Sequence, residues 1–251
     1  KCPYQLFEQG LNAHVFFLAT SQSSSSIPST IKTSDTISNV CGFVGYLRTS
    51  DHVQPLTEVL DRMSALLNHR GPDDAGIMED ARCGLAHRRL SILDHTKAGH
   101  QPMGHGALTL VTNAEFYNHR ALSKAHKLQS ELNSRTDTEV FLRIAERNGV
   151  AKALQEIDGM YAFAVWDKGA EVLHLARDPF GVKPLFVLEQ ENIIWFSSEI
   201  KPLLLVPGFN RRPSLAALHH FLSFDYIPGA HTAFEGIEEV RPGTHWRIDA
   251  N

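Results

Sequence analysis

A chain of 251 residues with 43% hydrophobic content holds enough apolar material for one sizeable core, so one main domain is expected. Its formal charge of -4, with no Lys/Arg-rich run, excludes a nucleic-acid footprint and favours a small polar partner. The scattered cysteines Cys2, Cys41 and Cys83 make no CxxC pair and no disulfide framework, which points to a reducing, cytoplasmic setting.

Residues 1–40 read as a separate segment, because 21–36 is dominated by Ser and Thr and cannot bury enough surface to order itself. The apolar stretch 13–19 within it is too short to span a bilayer and no positive cluster precedes it, so neither a membrane anchor nor export is expected. A strand opens at Cys41-Gly42-Phe43-Val44-Gly45-Tyr46-Leu47. Pro55 then starts a helix, with Leu56, Val59, Leu60, Met63, Leu66 and Leu67 at helical spacing until Gly71-Pro72. Strands follow at 84–87 and 107–112. Thr136 and Glu139 have capping-box spacing, and the helix they open carries Val140, Phe141, Ile144 and Ala145 on one face and stops at Gly149. Four strands come next, at 161–166, 171–177, 184–188 and 193–197, with Lys168-Gly169 as a hairpin signal. Helices at 198–205 and 214–221 close the pattern. Strands in runs with helices grouped around them predict an α+β fold, sheets packed face to face under helices.

Chemistry is concentrated in four polar clusters: His69-Arg70-Gly71-Pro72-Asp73, His87-Arg88-Arg89-Leu90-Ser91, Asn113-Ala114-Glu115 and Arg135-Thr136-Asp137-Thr138-Glu139. With Cys41 they supply a nucleophile, a cation, an amide with backbone donors, and carboxylates, the parts needed to hold a free amino acid and attack its side-chain amide. Each has a plainer reading. Cys41 can be a buried strand residue, Asn113 a turn former, Asp137 an acid on a helix dipole, and Arg88 and Arg89 surface charges. The fourteen histidines bring no HExxH and no paired Cys/His spacing, so no metal site is expected. Neither GxxxxGK[ST] nor GxGxxG occurs, so no nucleotide is held by those devices.

Taken together, the Cys41 strand, NHRGPDDAG (68–76), GLAHRRLSILD (84–94), QPM (101–103), NAEFYNHRAL (113–122), TDTEV (136–140), DGMYAFAVWD (158–167), RDPFGVKPLF (177–186) and FSSEIKPLL (196–204) resemble the class II glutamine amidotransferase domain of glutamine-hydrolysing asparagine synthetases. The resemblance implies a four-layer αββα N-terminal-nucleophile (Ntn) hydrolase sandwich of two antiparallel sheets. It implies Cys41 as nucleophile, with its own α-amine as base once that amine is free. The Asn113 side chain and the N–H of Ala114 become the oxyanion donors. Ala114 stands where the family has Gly, which matters if the backbone there has positive φ. Arg89 is implied to hold the substrate α-carboxylate and Glu115 and Asp137 its α-ammonium, with Leu90, Ser91, Ile92 and Leu93 lining the same segment. The turn at 177–181 is expected to be structural.

The implied partners are glutamine, a synthetase domain in cis or in trans, and a homodimer as a candidate assembly. No cofactor is expected in this domain, and ATP and Mg belong to the synthetase domain. Residues 41–225 would form the amidotransferase domain and 226–251 its end and a linker. The segment before Cys41 would be a self-cleaved propeptide or, the favoured reading, untranslated sequence before a GTG start codon at Val40. The implied activity is glutamine hydrolysis through a cysteine thioester, supplying ammonia for amidation of aspartate. A different acceptor, or a vestigial non-catalytic scaffold, are the alternatives.

Overall fold

The computed structural model describes residues 5–6, 40–50, 55–92 and 94–250. The expected unstructured segment 1–40 therefore lies outside the described residues, apart from the pair Gln5–Leu6 (β1) and Val40. In chain order there follow β2 (Gly42–Arg48), α1 (Thr57–Ala65), β3 (Asp74–Glu79), β4 (Cys83–Arg89), a 3-10 turn (Lys97–Gly99), β5 (Met103–His105), β6 (Leu108–Phe116), α2 (His119–Ala125), α3 (Asp137–Asn148) and α4 (Val150–Glu156). The second half contributes β7 (Gly159–Asp167), β8 (Val172–Arg177), β9 (Phe186–Gln190), β10 (Ile193–Ser197), α5 (Ile200–Leu203), α6 (Leu215–Phe224), β11 (Ile237–Glu239) and β12 (His245–Asp249).

The strands form two six-stranded sheets, ordered β1-β12-β8-β7-β6-β5 and β11-β9-β10-β2-β4-β3, with every pairing antiparallel. Side-chain alternation explains how they stack. In β2, Phe43 and Leu47 enter a core shared with Ala162, Ala164 and Trp166 of β7, while Val44 and Tyr46 face Leu60 and Met63 of α1. In β7, the intervening Tyr161, Phe163 and Val165 face Val140, Phe141 and Ile144 of α3. Three apolar layers between four layers of secondary structure make the αββα sandwich, and strands buried on both faces read as near-continuous apolar runs. Two polar links cross the central layer. Trp166 donates from Nε1 to Asp80 (2.7 Å), and His87 donates from Nε2 to the Thr112 carbonyl (3.0 Å). Burial holds the His87 pKa down to about 4, so the imidazole is neutral and its donor role is set by that carbonyl.

The α3 helix starts as its capping spacing requires: Thr136 accepts from the Glu139 N–H, and Gly149 ends it at φ 87°, a conformation open to glycine. The Glu139 carboxylate, however, accepts from the N–H groups of Asn133 and Ser134, outside the reciprocal box. The first helix is shorter than its apolar spacing suggests, because from Leu66 onward the backbone bonds tighten to the i−3 carbonyls of Met63, Ser64, Ala65 and Leu67. Residues 226–251, read as a domain end and linker, carry β11 and β12 into the two sheets.

Candidate functional site

Antiparallel pairing sets Gly42 opposite Arg88, so the start of β2 lies beside the end of β4 and Cys41 beside Arg89. The last third of β6 and the first turn of α3 complete the same corner. A cavity of about 290 Å³ opens there, lined by Cys41, Arg89, Leu90, Ile92, Asn113, Ala114, Glu115 and Asp137, all singled out from the sequence. That volume suits a free amino acid, at the small end of ligand pockets. Val40, Asp94, Gly99, Gln101, Thr112, Thr136, Thr138, Met160 and Lys183 line it too. Ser91 does not reach the lining; its N–H donates to Asp73 (2.8 Å). Leu93 lies outside the described residues.

The Cys41 thiol donates to the Leu90 carbonyl (3.6 Å) and accepts from the Leu90 N–H (3.4 Å). Burial pushes its pKa up; the Leu90 N–H and the charges of Arg89 and Arg70 pull it back, and Asp137 adds to the rise. Arg70, a clamp not assigned from the sequence, donates from Nε to the Cys41 carbonyl (3.1 Å) and pairs with Glu199 (2.9 Å). The HRGPD cluster thus fixes the backbone of Cys41. Arg88, read as a surface charge, instead donates to Ser64 of α1 (2.9 Å) and ties the sheet to its helix layer.

Arg89 is buried and anchored from behind, donating to the Thr96 carbonyl (3.0 Å) and to that of Asp94. The Asp94 carboxylate shapes that loop by accepting from the Arg135 and Thr96 N–H groups, and these bonds hold its pKa down to about 2. A Cβ on Gly99 would stand 2.1 Å from Arg89 Nη2. The group that would have to yield is the end of a flexible side chain, not backbone. Gly99→Ala should therefore leave the melting temperature within a few degrees but raise KM for an α-carboxylate substrate about tenfold by turning the guanidinium. Steady-state kinetics beside thermal melts test this, and an unchanged KM would remove Arg89 as the carboxylate clamp.

Asn113 Nδ2 is buried against the cavity without a hydrogen-bond acceptor among the described residues. The backbone beside it offers a second open donor. Tyr161, opposite Ala114 in the register, turns both its N–H and its carbonyl toward Asp178, so this is a non-hydrogen-bonded pair and the Ala114 N–H points away from β7. On that edge of β6 the N–H of Thr112 donates to Gln101 Oε1 (2.7 Å) and the N–H of Phe116 to Asp137 Oδ2 (2.7 Å). The Ala114 N–H between them faces the cavity with no acceptor described. Ala114 is not among the residues with positive φ, so its Cβ brings no backbone strain and the concern over Gly at this position does not arise.

Asp137 is buried at the first turn of α3, accepting from the N–H groups of Phe116 and Thr138; burial pushes its pKa up against those bonds. Its helix-start and cavity-lining positions coexist. Glu115 lies exposed at the rim. Among the described residues no group of three or more His, Cys, Asp or Glu side chains is placed to hold a metal ion, and no helix is long and apolar enough to cross a membrane.

Two antiparallel sheets back to back between helix layers, with a cysteine opening a central strand above a small polar cavity, define the Ntn-hydrolase architecture. The glutamine phosphoribosylpyrophosphate amidotransferase of Bacillus subtilis has the same fold, with a TM-score of 0.56 at 20% identity over 66% of this chain and 43% of that one. The chain belongs to the glutamine amidotransferase domain family, which matches residues 40–251. It is 33% identical to asparagine synthetase [glutamine-hydrolyzing] 1 of Bacillus subtilis over 83% of its length, and 32% identical to a putative asparagine synthetase [glutamine-hydrolyzing] 2 of Methanocaldococcus jannaschii over 78%. The aligned region spans 33% and 41% of those two relatives.

Proposed function

We propose that this domain hydrolyses glutamine to glutamate and ammonia through a γ-glutamyl thioester on Cys41. The thiol gives its proton to the α-amine of Cys41, freed from Val40, and the sulfur adds to the side-chain carbonyl. The oxyanion that forms is held by Asn113 Nδ2 and the Ala114 N–H; collapse returns the proton to the departing nitrogen as ammonia, and water cleaves the thioester. Arg89 takes the α-carboxylate, and Glu115 and Asp137 the α-ammonium. The observation that carries this reading is the pair of unpaired donors at 113 and 114 beside a thiol, since leaving a buried donor unmet costs about 1–3 kcal/mol unless a ligand meets it. The same pair argues against a vestigial scaffold, where nothing would retain that cost.

The ammonia would serve a synthetase domain, in cis or in trans, that uses ATP and Mg to amidate aspartate in the cytoplasm. The curated relatives support this acceptor. Glutamate and ammonia released in equal amounts from glutamine is the result that tests the glutaminase reading. A folded domain that begins at Cys41, binds glutamine and releases neither product would overturn it.

A further inference from the structure

Lys183 lies in the chain between the turn at 177–182 and β9. It is 9% exposed and lines the same space as Cys41 and Glu115. Its backbone is immobilised: the Lys183 N–H donates to Asp178 Oδ2 (3.0 Å) and its carbonyl accepts from Arg177 Nε (2.8 Å). Asp178 also accepts from Phe180 (3.1 Å), Val182 (3.0 Å) and Tyr161 (3.3 Å). The ammonium itself has no hydrogen bond or ion pair among the described residues. Burying a charge without a hydrogen-bonded partner is expensive, and the carboxylate that most favours this one, Glu115, lies exposed at the rim of the same cavity.

The other two cations near the thiol are already engaged. Arg70 is divided between the Cys41 carbonyl and Glu199, and Arg89 is bound to the Asp94 and Thr96 carbonyls and faces the substrate carboxylate position. Resting on the thioester reading of the site, we propose that Lys183 supplies the countercharge for the Cys41 thiolate, acting on catalysis through Cys41. Desolvation opposes thiolate formation, and Lys183 brings an opposite charge to the lining of the same cavity. On the Lys183 side, burial lowers the pKa, Glu115 raises it, Arg70 lowers it and Cys41 raises it.

Iodoacetamide alkylation of Cys41 in the 251-residue chain, followed by the mass of its peptide across pH, tests this directly. Lys183→Met should move the midpoint up by about one unit and slow alkylation at pH 7 about tenfold, and Lys183→Arg should stay near the parent. Should Lys183→Met fail to fold, Lys183→Gln carries the same expectation. Glutamine turnover lost in Lys183→Met should recover as pH rises, which a purely structural defect would not do. An unmoved midpoint in a folded variant overturns the inference, including the case where only KM rises, which would assign Lys183 to Glu115. Alkylation needs no turnover, so a shifted midpoint in a chain that begins at Cys41 and binds glutamine without hydrolysing it would sink the functional reading and leave the electrostatic one standing.

Discussion

In a chain that begins at Cys41, Cys41→Ala will lower glutamate release from glutamine by at least about 10³-fold while glutamine still binds. The expectation follows from the division of labour in the cavity. Arg89, Glu115 and Asp137 lie on β4, β6 and α3, so the substrate's charged end keeps its partners when the thiol is removed. No other side chain lining the cavity can form the thioester. A companion result isolates the amine. With residues 1–40 attached, the nitrogen of Cys41 is an amide and Val40 occupies the cavity wall, so hydrolysis will be about 10²-fold slower, the low end for a lost general base. Equal rates for the two forms would show that another base takes the proton. Isothermal titration with glutamine, run beside the glutamate assay, separates lost binding from lost chemistry.

Asn113→Ala will lower kcat by about 10²–10³ with KM nearly unchanged. Such losses accompany removal of one oxyanion donor from a preorganised site. Asn113 is preorganised in the required sense: it sits within β6, paired with Ala162, and its Nδ2 is buried and unengaged before substrate arrives. The backbone donor at Ala114 survives the substitution, which is why activity falls and does not vanish. If KM rose instead with kcat intact, Asn113 would be gripping the ground-state amide, and the donor pair would need another occupant.

Much of this arrangement was legible in the chain, where local rules and tertiary demand agree. The Cys41 strand, the Thr136 cap and the hairpin at Lys168-Gly169 all follow from spacing and turn chemistry, and all are present. β3 was missed because it lies on a sheet edge with no residue fully buried, and its apolar residues, Ala75, Ile77 and Met78, do not alternate cleanly with polar ones. α2 and α4, each 7 residues, are too short to show a helical period. β11 and β12 gain strand character only from neighbours, Phe186 to Leu188 and Val172 to Ala176. Within the site, residue types that act alone could be read directly, whereas Arg70, Gly99 and Lys183 could not. Their positions show only once strands distant in sequence meet: Arg70 against a carbonyl, Gly99 against a guanidinium, Lys183 lining one cavity with the thiol.

The strand that follows Cys41 is central in its sheet, flanked by β4 on one side and β10 on the other, and Phe43 is bonded on both its N–H and its carbonyl to Ser198. Cys41 is therefore synthesised early and enclosed late. Its second neighbour leaves the ribosome only after almost the whole domain has been made, and the entropic cost of closing so long a loop delays the pairing further. Leu90, Arg70 and Arg89 precede that neighbour in the chain, whereas Glu199, which pairs with Arg70, and Lys183, which lines the cavity, are made with it. The walls around Cys41 are therefore complete only in the finished sandwich.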